Sequence, residues 1–378
     1  MNTLEQLETP ALVVDANIME RNIRAMRERA VALDVSFRPH TKTHKCLPIA
    51  ARTTAGSPTR AIIVSTLKEA DLFAAQGYGD ILYGVGLSPN KFAHVAALIR
   101  GDVELTVVVD NVSVARELAT FARANELCVP VLIEIDSDGH RSGVKPGDAT
   151  LIEVAEALRS PHIAMRGVMT HAGSSYDCRG DSALRAMAEQ ERAAVVSCAQ
   201  TLRAARFPCP VVSVGSTPTA VFATDLAGVT ELRAGVFVFF DLVMHGLGVC
   251  RLEDIALSVL TTVVGHQNDK GWAIVDAGWM ALSRDRGTAR HSVDQGYGLV
   301  CDLDGRPVRD LIVRDANQEH GIVVSRSGSP LRADELPVGS MLRILPNHAC
   351  ATAAQHAAYQ VVRGSKNIEA AWPRFSGW

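Results

Sequence analysis

Five basic side chains crowd one short stretch, 37–45 (FRPHTKTHK): Arg38, His40, Lys42, His44 and Lys45. A lysine held among other cations has its ammonium form disfavoured, which frees an amine for Schiff-base chemistry. The competing reading is a solvated basic loop, the ordinary fate of clustered charge. A second stretch, 214–219 (VGSTPT), offers glycine and hydroxyls, the composition of a backbone nest for a phosphate. An ordinary strand-to-helix turn has the same composition. Near the C-terminus, at 346–352 (PNHACAT), His348 and Cys350 alternate and would share one face of an extended segment. Imidazole with thiolate suits zinc or another borderline divalent ion, and two protein ligands leave positions open for water or substrate. A satisfied buried histidine beside a buried cysteine is the alternative.

Three more stretches place polar groups just after apolar runs: 134–143 (EIDSDGHRSG) with Glu134 and Arg141, 171–176 (HAGSSY) with His171 and Tyr176, and TELRAG with Arg233. Each is modest alone. Together they repeatedly mark the carboxyl ends of expected strands, where a barrel gathers its chemistry.

The elements that must carry these residues follow from periodicity. Short β-branched runs occur at 36–38, 61–64, 81–83, 105–109, 131–135, 163–168, 211–214 and 230–232. Between them lie Ala-rich stretches of helical period, including 18–33, 67–76, 112–124 and 184–205. Eight such βα units predict a (β/α)8 TIM barrel. An open doubly wound sheet is the competitor, and neither GxGxxG nor GxxxxGK[ST] is present to support it. Beyond about residue 250 the texture changes to strands without helices, at 256–264, 272–276, 311–313, 321–324, 341–344 and 359–362. The expectation is a barrel over 16–245 and a smaller antiparallel β-domain from 1–15 and 246–378. The early strand at 11–15 has a pattern that suits either body.

With Lys+Arg 38 against Asp+Glu 41, the formal net charge is −3, and no run of like charge stands out. That balance leaves no electrostatic footprint for nucleic acid or an anionic membrane. No apolar run reaches the roughly 18 residues of a membrane span, and MNTLEQLETP lacks a secretory pattern. The expected place is the cytoplasm. The eight cysteines are scattered with no CxxC pair, so most are expected to be small buried hydrophobes.

The motifs taken in order resemble the fold type III pyridoxal-phosphate enzymes of the D-serine dehydratase and D-threonine aldolase family. The resemblance spans nearly the whole chain, from TPALVVD and ERNI through RPHTKTHK, EIDSDGHRSG, THAGSSY, VGSTPT, ELRAGVFVFFD, VDAGWMALSRD and NQEHG to PNHACAT. It implies an alanine-racemase-like barrel followed by a β-domain, a homodimer, and a site between the two bodies. It also implies that Lys42 bears pyridoxal 5'-phosphate (PLP), and that Gly215, Ser216 and Thr217, with the backbone of Gly235 and Val236, hold its phosphate. On the same pattern Arg141 approaches the phenolic oxygen, His40, His171 and Tyr176 belong to the cofactor site, and Arg233 meets the pyridine nitrogen. Glu134 stands where some racemases carry a modified lysine, and no tyrosine matches the racemase's second base.

The His-x-Cys form of the last motif is typical of the family's dehydratases, and His-x-Asp of its aldolases. His348 and Cys350 would therefore hold a divalent metal (Zn2+, Mn2+, Mg2+ or Co2+). The implied reaction eliminates water from a 3-hydroxy-D-amino acid. D-threo-3-hydroxyaspartate would give oxaloacetate and ammonia, and D-serine, the second choice, pyruvate and ammonia. His140, His320, Arg284 and His356 are available to a second substrate carboxylate. Retro-aldol cleavage to glycine and an aldehyde, a metal-free racemase and a non-catalytic PLP-binding protein are the alternatives.

Overall fold

The computed structural model describes residues 2–378, which fall into two compact units. One is built from Ala25–Lys42, Ile49–Gly235 and Gly377–Trp378, and the other from the chain up to Arg24, Thr43–Pro48 and Val236–Ser376. The opening strand, β1 (Ala11–Asp15), belongs with the second unit.

Every one of the eight apolar runs forms a strand of the first unit: β2 (Ser36–Pro39), β3 (Ile62–Val64), β4 (Asp80–Gly86), β5 (Glu104–Val109), β6 (Val129–Ile135), β7 (Ile163–Thr170), β8 (Val211–Val214) and β9 (Glu231–Ala234). They lie parallel in the order β2-β9-β8-β7-β6-β5-β4-β3. The two ends of this sheet meet through a single bridge, His40 to Ile63, so the barrel is nearly closed. A recess of about 410 Å3 opens beside that seam, lined in part by Phe37, Arg38, Thr53 and Ala61. Strands covered on both faces read as continuous apolar runs, and Ile63, Leu82, Val108, Leu132 and Met169 fill the interior as one cluster. At the opposite end from the site residues, Arg38 is held between Asp80 (2.7 Å) and Glu231 (2.6 Å).

The helices between the strands start where their capping chemistry dictates. The Thr66 side chain accepts from the Glu69 N–H to open Leu67–Ala74, and Asn111 accepts from the Val114 N–H to open Val112–Ala124. The longest, Asp181–Ala204, buries Leu184, Ala188, Glu191, Val195, Cys198, Ala199 and Leu202 along one stripe.

The second unit is a nine-stranded sheet of β1 with β10 (Leu257–Gln267), β11 (Trp272–Val275), β12 (Gly298–Cys301), β13 (Pro307–Ala316), β14 (Gly321–Ser325), β15 (Met341–Pro346), β16 (Ala358–Val362) and β17 (Ala370–Pro373). The order is β11-β14-β13-β12-β15-β10-β1-β16-β17. Pairing is antiparallel except for β1 with β16. The early strand thus pairs with β10 and β16, and its Val13 packs with Leu4, Leu260 and Val362. Two strands, β12 and β17, carry no alternation that sequence periodicity detects: β12 is a fully buried GLVC, and β17 is an edge strand ending in proline.

The cysteine expectation needs correction, because only Cys46, Cys198, Cys209 and Cys301 are buried while Cys128 is exposed and three are half-buried. Among the described residues no helix is long and apolar enough to cross a membrane.

Candidate active site

The chemistry-bearing residues form two clusters, one in each unit. In the barrel unit, β2 ends at Pro39, and a single helical turn, Thr41–Thr43, carries Lys42. The turn is pinned from beneath: the Thr41 hydroxyl donates to the Ile63 carbonyl (3.1 Å), and His40 Nδ1 accepts from the Lys42 N–H (3.2 Å). His40 Nε2 lies 3.4 Å from the Ser65 hydroxyl. The Lys42 side chain itself is exposed. His40 therefore shapes the lysine-bearing turn.

After β7 and β8 two turns interlock. His171 Nδ1 lies 2.8 Å from the Gly215 carbonyl, which assigns the proton to Nδ1 and leaves Nε2 as an acceptor. Burial pushes its pKa down to about 3, and Arg141, Arg233 and Lys42 add to the effect. The imidazole is thus neutral, and those three expected cofactor residues all act on it. Gly215 has φ +145°, and a Cβ there would come within 1.9 Å of the Arg233 carbonyl oxygen, so no other residue fits. Ser216 caps the helix Thr217–Phe222, accepting from the Thr219 N–H (3.2 Å), and its hydroxyl meets that of Ser175 (3.0 Å). Tyr176 is half-buried in the turn Gly173–Asp177.

Arg233 is buried in β9, its Nε donating to the Ser213 hydroxyl (2.8 Å) and its Nη2 to the Thr170 carbonyl. Burial lowers its pKa, against the opposing pull of Glu231, Glu191 and Glu134. Glu134 is also buried, which raises its carboxyl pKa; it accepts from the Ser142 hydroxyl (3.2 Å) and lies 3.7 Å from Arg141 Nη2. It therefore orients the half-exposed Arg141. Gly235 follows β9, and Val236 opens the buried turn Val236–Val238. An exposed amine, a Gly-Ser-Thr helix start, a neutral imidazole and two arginines make a set that fits PLP.

The second cluster belongs to the β unit. The expectation of an extended segment at 346–352 is corrected here: His348 is the N-cap of a short helix, Ala349–Ala353, which holds Cys350 in its first turn. A helix start, rather than strand alternation, brings the two side chains into hydrogen-bonding reach of each other. Asp285 Oδ2 takes His348 Nδ1 at 2.5 Å, which leaves Nε2 for a ligand. The contact pulls the Asp285 carboxyl below its usual range. Burial disfavours the His348 imidazolium, and Cys350, Asp285 and Asp241 outweigh it. Asp241 fixes the helix start, its Oδ2 accepting from the Ala349 N–H and its Oδ1 from the Met244 N–H, both at 2.9 Å. Cys350 Sγ lies 3.2 Å from the Thr43 hydroxyl. Among the described residues no three His, Cys, Asp or Glu converge as a ligand group. The donor set, one imidazole and one thiol, fits a divalent ion that keeps open positions.

Of the candidates for a second carboxylate, His356 Nε2 is taken by the Ala281 carbonyl (3.0 Å), Arg284 stacks 5.1 Å over Trp279, and the His140 ring lies against Gly173. Sequence reasoning missed Glu191, Asp241 and Asp285. The last two close the ELRAGVFVFFD and VDAGWMALSRD motifs, and Glu191 stands on an otherwise apolar helical stripe.

Comparison with known proteins adds to this geometry. Residues 14–243 match the family described as alanine racemase, N-terminal domain, and residues 256–362 match a serine dehydratase domain. The chain is 52% identical to the D-threo-3-hydroxyaspartate dehydratase of Delftia sp. (strain HT23), with both chains covered in full. It belongs to the fold type III D-serine dehydratase and D-threonine aldolase family. The Delftia structure superposes with a TM-score of 0.98, again with both chains fully covered. A cysteine-to-alanine variant of that protein, solved in the metal-free form, gives 0.97 with both chains fully covered. The D-serine dehydratase of Dictyostelium discoideum, another family member, is 30% identical over 97% of this chain and 96% of its own. The alanine-racemase-like barrel followed by an antiparallel β-domain, expected from the motifs, is the family's fold and the fold observed.

Proposed function

We propose that this chain is a PLP- and divalent-metal-dependent lyase that removes water from a 3-hydroxy-D-amino acid, D-threo-3-hydroxyaspartate before D-serine. The full-length 52% identity to a D-threo-3-hydroxyaspartate dehydratase carries the reading. The His348–Asp285 pair beside Cys350 supports it. So does the metal-free state of the relative's cysteine variant.

When bound, PLP supplies an electron sink for charge developing at Cα, and the metal a Lewis acid for the departing 3-hydroxyl. Lys42 would bear the cofactor, and its free amine would take the Cα proton. Ser216 and Thr217, with the backbone of Gly235 and Val236, hold the phosphate, on a loop that turns at Gly215. Arg141, kept in place by Glu134, faces the phenolic oxygen, and Arg233 faces the ring nitrogen. His171, held neutral, lines the ring with Tyr176 without adding charge. His348 and Cys350 hold the metal, and Asp285 keeps the imidazole turned. Loss of the Cα proton and of the 3-hydroxyl leaves an enamine, whose tautomer hydrolyses to a 2-oxo acid and ammonia. The enzyme is proposed to work as a homodimer in the cytoplasm, where its eight free cysteines stay reduced.

The test is product identity. The purified protein, with Mn2+ or Zn2+ added, is incubated separately with D-threo-3-hydroxyaspartate, D-serine and D-threonine. Ammonia with oxaloacetate or pyruvate is expected. Glycine with an aldehyde would make it an aldolase, and no turnover with retained PLP a binding protein.

A further inference from the structure

Glu191 is the one carboxylate on the buried stripe of the helix Asp181–Ala204, with leucine, alanine, valine and cysteine at the other buried positions. It is 2% exposed. A carboxylate there costs far more than an aliphatic side chain unless its acceptors are used. They are used by both turns at the carboxyl ends of β7 and β8. Glu191 Oε1 accepts from the Ala172 N–H (3.0 Å) and from the Gly215 N–H (3.2 Å). The Thr219 side chain hydrogen-bonds to it as well. The next link returns across the same gap, from His171 Nδ1 to the Gly215 carbonyl at 2.8 Å. One residue of the phosphate loop is therefore gripped by both its N–H and its C=O. The steric fit of Gly215 against Arg233 forbids any side chain of its own to brace the loop.

We propose that Glu191 is the positioning residue of the phosphate loop: it sets the spacing of the β7 and β8 turns so that 215–217 accepts a cofactor's phosphate. The inference rests on the PLP reading above. Burial raises the carboxyl pKa of Glu191 against the pull of its hydrogen bonds and of Arg233. What the two turns ask of the side chain is an oxygen that accepts from both N–H groups, which an amide oxygen also supplies.

The experiment strips the holoenzyme of its cofactor and titrates it with PLP and with pyridoxal, which can bond to the same lysine but lacks the phosphate. Wild type should prefer PLP. Glu191→Leu, apolar like its neighbours on the stripe, should narrow that preference about tenfold or more, the effect of leaving two buried N–H groups without an acceptor. Glu191→Gln keeps an oxygen and should restore the preference. Glu191→Met carries the same comparison if the leucine chain fails to fold. An unchanged PLP-to-pyridoxal ratio in Glu191→Leu would overturn the inference, as would equal losses for both ligands. Failure of both apolar variants to fold would also overturn it, since the carboxylate would then be holding the barrel together. A wild-type protein that binds neither ligand, or both equally, would instead remove the PLP reading itself.

Discussion

At the scale of single residues, the chemistry divides between groups whose type announces them and groups that act through another. Lys42, His348 and Cys350 stand out in the sequence as candidates because an amine among other bases and an imidazole two residues from a thiol are residue types that can bear a cofactor or a metal. Lys42→Ala is expected to lose the yellow absorbance of bound PLP and all measurable turnover while keeping its far-UV circular dichroism; a yellow variant would remove Lys42 from its role. Asp285 was not legible, because nothing in SRD says that its carboxylate lies 2.5 Å from an imidazole 63 residues later. Asp285→Asn should weaken divalent-metal affinity about 10- to 100-fold in calorimetric titration, since the amide holds the imidazole less firmly. Equal affinity would mean that His348 needs no orienting partner. Glu191 was half-legible: a carboxylate in register with Leu184, Ala188, Val195 and Leu202 is a signal, but its partners lie on turns that only the fold brings together.

At the scale of elements, periodicity located every barrel strand, because parallel strands buried on both faces cannot hide their apolar runs. It failed where local chemistry decides. The segment at 346–352 reads as alternating, yet Asp241, far away in sequence, takes the Ala349 N–H and starts a helix there. The strand β17 is invisible because its proline and its edge position suppress the usual pattern. The turn after β8 is more constrained than its sequence suggests. Gly215→Ala should cost about 2–4 kcal/mol in urea unfolding, combining a left-handed φ with a backbone clash. A variant as stable as wild type would show that β8 and β9 can separate at that point.

For the whole molecule, stability should depend on pH through histidines that fold in the neutral form. His44 is 1% exposed, and burial together with Arg374 depresses its pKa from 6.5 to about 3. A group depressed in the folded state contributes stability that is complete above its unfolded pKa and fades as pH falls towards the folded one. Unfolding free energy should therefore drop between pH 6.5 and pH 3, with this histidine supplying up to about 1.4 kcal/mol per pH unit. His44→Asn should flatten the slope by that one proton, and parallel slopes for the two proteins would show that His44 charges without unfolding the chain. The fold class was legible at this scale from the alternation of elements and the order of motifs; the near-closure of the barrel was not. That closure, through the single His40–Ile63 bridge, has a mechanical consequence. A hoop fastened by one rivet is most compliant at the rivet, and the rivet here sits two residues before Lys42. Amide exchange should be faster along β2 and β3 than along β7 and β8, so that the lysine-bearing turn sits on the loose joint while the turns gripped by Glu191 stay still.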